Sequence, residues 1–184
     1  PDENFLCDDL DGDNLPDLGV GSPGSGTEYV KLYQQSGNES SDLDPSQPVF
    51  IFKNELNGTG GNNMVKGINA TKDTKLDILN GELYSGDVYV FRNKGNFRFK
   101  KAFTYQFKTR IFSIESADFD GDLFEDFIIA EAWANIHFFR NIQGKRFKIE
   151  FEGSTIGSCF NTLAYDINND DKTDLIAAPF DGKA

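Results

Sequence analysis

Apolar residues in this chain recur at every second position in short bursts, and no stretch sustains the 3.6-residue spacing of a helix face. The bursts "VYVF" (88–91), "FRFKKAFTYQF" (97–107), "IHFF" (136–139) and "FKIEF" (147–151) alternate or run aromatic. Others, such as "LGVG" (18–21), "FIIA" (127–130) and "LIAA" (175–178), are short and apolar throughout. Gly, Asn and Asp separate them, as in "NKGN" (93–96) and "NIQG" (141–144). Side chains that alternate in this way line opposite faces of an extended strand, so the pattern predicts short strands, tight turns and few helices.

The bursts follow a repeating order. "DLDGDNLPDLGVG" from Asp9 returns as "DFDGDLFEDFIIA" from Asp118 and "DINNDDKTDLIAA" from Asp166, with a worn copy, "NATKDTKLDILNG", from Asn69. The last aspartates of these loops, Asp17, Asp77, Asp126 and Asp174, are spaced by 60, 49 and 48 residues. After each loop come an apolar run, an aromatic strand ending in a turn, a further alternating strand, and a short strand such as "FSIESA" that leads into the next loop. About four strands in a period near 50 residues is the unit of a β-propeller. The expected fold is therefore all-β, a partial propeller over residues 1–184. Its blades fall at about 1–64, 65–110 and 111–157, with a partial fourth at 158–184. Fewer than four blades would leave open sheet edges, so the segment reads as part of a larger propeller. In the first repeat, "VFIFKN" (49–54) aligns with "VYVFRN" and "IHFFRN". That alignment makes 22–48 a long polar insertion and implies that the blade lacks one strand or that residues are missing from the sequence.

At 184 residues, with 18 Phe, the chain can bury a substantial core. Its net charge of -12 argues against nucleic acid as a partner, because phosphate binding needs a basic surface. No stretch approaches the ~20 apolar residues of a membrane helix, and no signal peptide is visible. Much of the acidity sits in the loops, at alternating positions that ordinary turns do not require. Positions 1, 3, 5 and 9 are Asp9, Asp11, Asp13 and Asp17; Asp118, Asp120, Asp122 and Asp126; and Asp166, Asn168, Asp170 and Asp174. Backbone carbonyls at position 7 (Leu15, Phe124 and Lys172) would complete oxygen sets that suit Ca2+. Mg2+ demands a stricter octahedron, and a single His with no nearby Cys disfavours zinc. An EF-hand fails at position 12, where Val20, Ile129 or Ala177 replaces the bidentate Glu. The Asn69 loop offers only Asp73 and Asp77 as carboxylates and is expected to be empty.

The spaced aspartates ahead of an apolar strand, "DLGVGSP" and "FRNKGNFRF" together resemble the FG-GAP/VCBS repeat family, seen in integrin α-subunit propellers and in T-cell immunomodulatory protein-like chains. The resemblance covers nearly the whole chain outside 22–48. It implies that each loop joins the first two strands of a blade and holds one Ca2+, beginning at Asp9, Asp118 and Asp166. Position 6 in such loops favours Gly, since positive φ is wanted there. Here it is Asn14, Leu123 and Asp171, and Leu is the costliest of these.

No catalytic constellation stands out. His137 lies in a strand without a nucleophile nearby, the loop carboxylates are spaced for a metal, and no phosphate loop or nucleophile elbow occurs. The expected function is a non-enzymatic, calcium-binding module for extracellular protein–protein interaction or adhesion. The alternatives are a carbohydrate-binding or lyase-type propeller and a structural subunit of a large assembly. A lectin would show exposed aromatics at equivalent blade positions, and only Trp133 is a candidate, without an aromatic counterpart in the other repeats. Residues 92–110 form a basic, aromatic hairpin that suits an anionic protein or sulfated glycan, or else a solvated face. Three sequons, at Asn38, Asn57 and Asn69, point to the secretory lumen or cell exterior. Cys7 and Cys159 pair with each other, pair elsewhere, or stay free.

Overall fold

The computed structural model describes residues 5–21, 28–35, 48–53, 63–133, 135–154 and 159–179. They contain strands and turns and no helix. The first sheet comprises β1 (Phe5–Asp8), β2 (Asp17–Gly21), β3 (Glu28–Tyr33) and β4 (Phe50–Lys53). The second comprises β5 (Asn63–Ile68), β6 (Asp77–Glu82), β7 (Asp87–Asn93) and β8 (Phe99–Gln106). The third comprises β9 (Ile111–Ala117), β10 (Asp126–Glu131), β11 (Asn135–Ile142) and β12 (Arg146–Ser154). A pair, β13 (Cys159–Tyr165) and β14 (Asp174–Pro179), follows. Each sheet is an antiparallel meander in chain order.

The first sheet corrects the sequence reading. It has all four strands, and β3, "EYVKLY", lies inside the stretch taken as an insertion. "FIFK" is the outermost strand and pairs with β3, so "EYVKLYQQ" is the true counterpart of "VYVFRN". Textual likeness misled because both strands alternate. Pairing is decided by neighbours in space, and β3 is flanked by polar residues that hide it in one dimension.

The first strands pack against one another in succession, β1 on β5, β5 on β9 and β9 on β13, so the sheets fan out from them. Two apolar layers fill the spaces between sheets. Leu6, Leu10, Val30, Leu32, Val65, Ile78, Tyr89 and Phe91 join the first sheet to the second. Met64, Leu79, Val88, Val90, Ile111, Ile114, Phe127 and Phe139 join the second to the third. The second sheet is thus covered on both faces, and β6 is buried at all six positions although its sequence, DILNGE, is half polar. Phe127 and Phe139 stack at 4.5 Å, and Phe103 meets both edge-on. Such rings add geometric preference to a large buried apolar area. Sheets approach closely at Gly81, where a Cβ would sit 2.7 Å from Ile111 Cδ1.

Register is the same in each sheet. The last residue of the first strand faces the ninth-position aspartate: Asp8 and Asp17, Ile68 and Asp77, Ala117 and Asp126, Tyr165 and Asp174. Every Asp loop therefore closes the same hairpin at the same edge of the molecule. Cys7 is exposed and unpaired. The sequons at Asn38 and Asn57 lie outside the described residues.

Candidate metal centre

An aspartate placed at the start of a tight loop collects the backbone N–H groups that the loop turns inward. In the first loop, Asp9 Oδ1 accepts from Gly12 N at 2.7 Å and from Asp13 N at 3.2 Å, while Oδ2 accepts from Asn14 N at 2.8 Å. Asp118 repeats this with Gly121, Asp122 and Leu123 at 2.8, 3.1 and 2.8 Å. Asp166 does so with Asp170 and Asp171 at 3.2 and 2.9 Å. These bonds, that from Gly12 foremost, hold the Asp9 carboxyl below the ordinary carboxylate range. The turn requires left-handed backbone at positions 4 and 6. Gly12 and Asn14 have φ of 94° and 67°, Gly121 and Leu123 77° and 70°, and Asn169 and Asp171 59° and 62°.

The result is convergence. Asp9, Asp11 and Asp17 each bring a carboxylate oxygen within 4.8 Å of the other two, as do Asp118, Asp120 and Asp126, so each trio could hold a metal ion. An all-oxygen, carboxylate-rich donor set suits a hard cation. Asp13 and Asp122 stand outside these trios and accept from Leu15 N and Phe124 N at 2.8 and 2.9 Å. The loop from Asp166 has the same turn, with Ile167 N on Asp174 Oδ2 at 3.1 Å and Lys172 N on Asp170 Oδ1 at 3.0 Å. Asn168 holds position 3 there and is exposed.

In the three four-stranded sheets the ninth-position aspartates are buried, whereas Asp174 is half-buried. Asp17, Asp77 and Asp126 are 0%, 1% and 0% exposed. Burial pushes Asp126 and Asp77 up to about 6 and raises Asp17 as well, against the backbone N–H bonds that oppose it. A cation bound at Asp17 or Asp126 would remove that cost.

The Asn69 loop keeps the hairpin register and the bond of position 7 to position 5, Lys75 N on Asp73 Oδ1 at 3.1 Å, but departs in its turn and its ligands. Its positions 4 and 6, Lys72 and Thr74, are absent from the left-handed residues. Asn69 turns away, its N and Nδ2 held by Glu125 of the next loop at 2.8 and 3.0 Å. Asp77 Oδ2 is buried without a hydrogen bond. Among the described residues no trio forms here.

Sequence reasoning missed the residues that lock the loops together. Asn93 Nδ2 donates to Leu10 O at 2.7 Å in the first sheet's loop and to Leu76 O at 3.0 Å in its own, while its backbone N donates to Asp77 Oδ1 at 2.8 Å. Asn141 repeats all three bonds, to Ala70 O, Glu125 O and Asp126 Oδ1, at 2.9, 3.0 and 2.7 Å. Gln35 N makes the corresponding bond to Asp17 Oδ1 at 3.0 Å. The signal was the recurring "FRN". In the two trio loops the residue before the clamp position also acts on position 3. Gln34 Nε2 reaches Asp11 Oδ2 and Arg140 reaches Asp120 Oδ2, each at 2.5 Å, whereas Arg92 faces Thr71's loop and donates to Gly144 O instead.

At the opposite ends of the strands, His137 Nε2 lies 2.8 Å from Glu131 Oε2, with its ring against Phe107. Burial would raise the Glu131 carboxyl, but bonds from Thr109, His137 and Asn135 hold it below its usual value. Trp133 is 79% exposed in the turn after β10. Contrary to the sequence reading, it has an aromatic counterpart: Tyr84, 48% exposed, stands two residues past Glu82 as Trp133 does past Glu131.

No curated protein matches the chain in sequence. Among solved structures it is similar to BBS1N, crystallised in complex with ARL6DN and soaked with lead, at a TM-score of 0.62 and 11% identity over 98% of this chain and 48% of that one. It is also similar to an Agrocybe aegerita lectin specific for non-reducing terminal N-acetylglucosamine, at a TM-score of 0.62 and 18% identity over 94% and 46%. The chain thus spans about half the length of either, and at these identities the likeness concerns the fold alone. Residues 70–129 and 118–177 each match the FG-GAP-like repeat model, together more than half of the chain. With its period, its meander sheets and its Asp loops, the chain belongs to the FG-GAP-like repeat family.

Proposed function

We propose that the chain is a non-enzymatic, calcium-stabilised propeller segment that presents its surface to a macromolecular partner, in the secretory lumen or outside the cell. The observation that carries the calcium reading is the pair of converging carboxylate trios on left-handed loops, Asp9/Asp11/Asp17 and Asp118/Asp120/Asp126. Leu15, Phe124 and Lys172 would add their carbonyls, and Asp13, Asp122 and the set from Asp166 to Asp174 would complete the ligands. The ion ties the first two strands together in each blade that holds one, which leaves out the blade with the Asn69 loop, and binding only to the folded chain stabilises it by mass action. Melting the chain in excess chelator, then with Ca2+ or Mg2+ restored, tests this. A rise of several degrees specific to Ca2+ is expected, since about 2.7 kcal/mol is gained at a hundredfold excess over Kd. Equal melts in all three conditions would refute it.

The segment is read as part of a larger ring, because among the described residues an apolar groove of about 410 Å³, lined by Phe119, Ile128, Ile136, Phe138, Phe151 and Leu175, opens between the third sheet and β14. Further strands packed beside β14 would cover it. A carbohydrate-binding role is the second reading, favoured by Tyr84 and Trp133 at equivalent turns and by the lectin's fold likeness. Titrating the chain with N-acetylglucosamine oligomers decides it: a saturable Trp133 fluorescence change that weakens in Tyr84→Ala supports the lectin reading, and a flat signal removes it.

A further inference from the structure

The second and third sheets place like charges opposite each other at the same register. Arg92 faces Lys100 across β7 and β8, and Arg140 faces Lys148 across β11 and β12. Like charges directly opposed in an antiparallel pair are unfavourable unless something neutralises them. In the third sheet two carboxylates do so. Asp120 Oδ2 and Glu150 Oε2 lie 2.5 and 3.8 Å from the Arg140 guanidinium. In the second sheet the positions of these two acids are held by Thr71 and Ala102. Arg92 spends one nitrogen on Gly144 O, and its Nε is buried without a hydrogen bond.

Between the two sheets this leaves a groove of about 490 Å³ lined by Arg92, Lys94, Lys100, Lys101 and, from the next turn, Lys145. No carboxylate lines it among the described residues. The chain as a whole carries a net charge of -12, so five cations gathered here are not a general property of its surface. We propose that this groove binds a short acidic segment of a partner protein, whose carboxylates take the places that Asp120 and Glu150 fill in the third sheet. The third sheet itself displays the ligand chemistry, two carboxylates on one guanidinium, which is the pairing that a planar fork of donors favours. Extended polyanions fit less well. A long sulfated chain or a nucleic acid would run out of the groove onto the Asp9 and Asp118 loops and be repelled. The choice of a protein as occupant rests on the protein-binding reading above; the anion-binding groove does not.

The test is fluorescence polarisation of a fluorescein-labelled hexaglutamate peptide on the full 184-residue chain, at about 50 mM salt, where pairing is least screened, with and without Ca2+. Saturable binding is expected. It should weaken by about tenfold or more in Thr71→Asp/Ala102→Glu, which supplies the missing acids from within, and stay unchanged in Lys148→Glu. Lys100→Glu/Lys145→Glu should abolish it if the first variant fails to fold. Because the Asn69 loop is outside the metal trios, binding should persist in chelator; the calcium melt fails or succeeds separately. No saturable binding, or equal loss in Lys148→Glu, would overturn the groove. Tighter binding of a heparin-derived oligosaccharide of matched charge, with the same variant dependence, would overturn the peptide as its occupant.

Discussion

The loops Asn69–Asp77 and Asp118–Asp126 close the same hairpin in adjacent sheets, yet one is built around converging carboxylates and the other is not. Both end on a buried aspartate whose carboxyl is pushed up to about 6, and both hand that aspartate to a clamping Asn. The two loops share only the aspartates at positions 5 and 9, and four of their seven differences bear on the turn and its ligands. Asn69, Thr71, Lys72 and Thr74 replace Asp118, Asp120, Gly121 and Leu123. Without an acid at position 1 there is nothing to gather the loop's N–H groups, and without left-handed backbone the trio cannot converge. Scaffold and site are therefore separable in this fold. The buried Asp and the Asn clamp are common to both hairpins, whereas the acids at positions 1 and 3, which converge with Asp126, occur only in the loop from Asp118.

The clamp carries the largest expected effect. Asn141→Ala leaves the carbonyls of Ala70 and Glu125 and the N–H of Gly144 without their partner, joining neither loop to the other. A loss of about 2–4 kcal/mol in urea unfolding is expected; a change below 1 kcal/mol would show that water replaces the amide. Next in size, Asp118→Asn should remove about 1–3 kcal/mol of the calcium-dependent stabilisation, while Asp73→Asn should leave it intact. Equal effects would mean that the two loops do not differ as metal sites.

The buried aspartates make a pH comparison. A carboxyl raised to about 6 in the folded chain, against its lower unfolded value, costs nothing when both states are protonated near pH 3. Stability is then lost as pH rises from about 4 through 6, as the unfolded chain ionises first. Asp77→Asn keeps an acceptor for Asn93 and should raise metal-free stability at pH 7 by about 1–2 kcal/mol, with no gain at pH 3. Asp126→Asn should do the same in chelator but forfeit the response to Ca2+. A gain from Asp77→Asn that is equal at both pH values would exclude ionisation as its cause. The smallest effect is conformational. Leu123, 72% exposed at a φ of 70°, should stabilise by about 0.5–1 kcal/mol when changed to Gly, and Thr74→Gly should destabilise by a similar amount because its backbone is not left-handed.

The acids themselves were legible because their spacing is local. A loop's ligands are a few residues apart, and the turn that gathers them is dictated by Gly12, Asn14 and their counterparts. The positive φ at Leu123 followed from the same local logic. The clamps were visible only as a repeated word, "FRN", since their partners lie 83 and 71 residues away in sequence. The third strand of the first sheet was misplaced because "EYVKLY" and "VFIFKN" alternate equally well. Tyr84 escaped notice as the partner of Trp133 because the turn between β6 and β7 differs in length from that between β10 and β11.

Sequence alone thus determined the strand content, the period and the candidate ligands, all of which depend on residues near one another along the chain. Tertiary structure decided which strand is outermost, which Asn bridges which loops, and that Arg92 lacks the two acids that Arg140 has. Those outcomes depend on side chains brought together across sheets, and pairing across sheets leaves no period in one dimension.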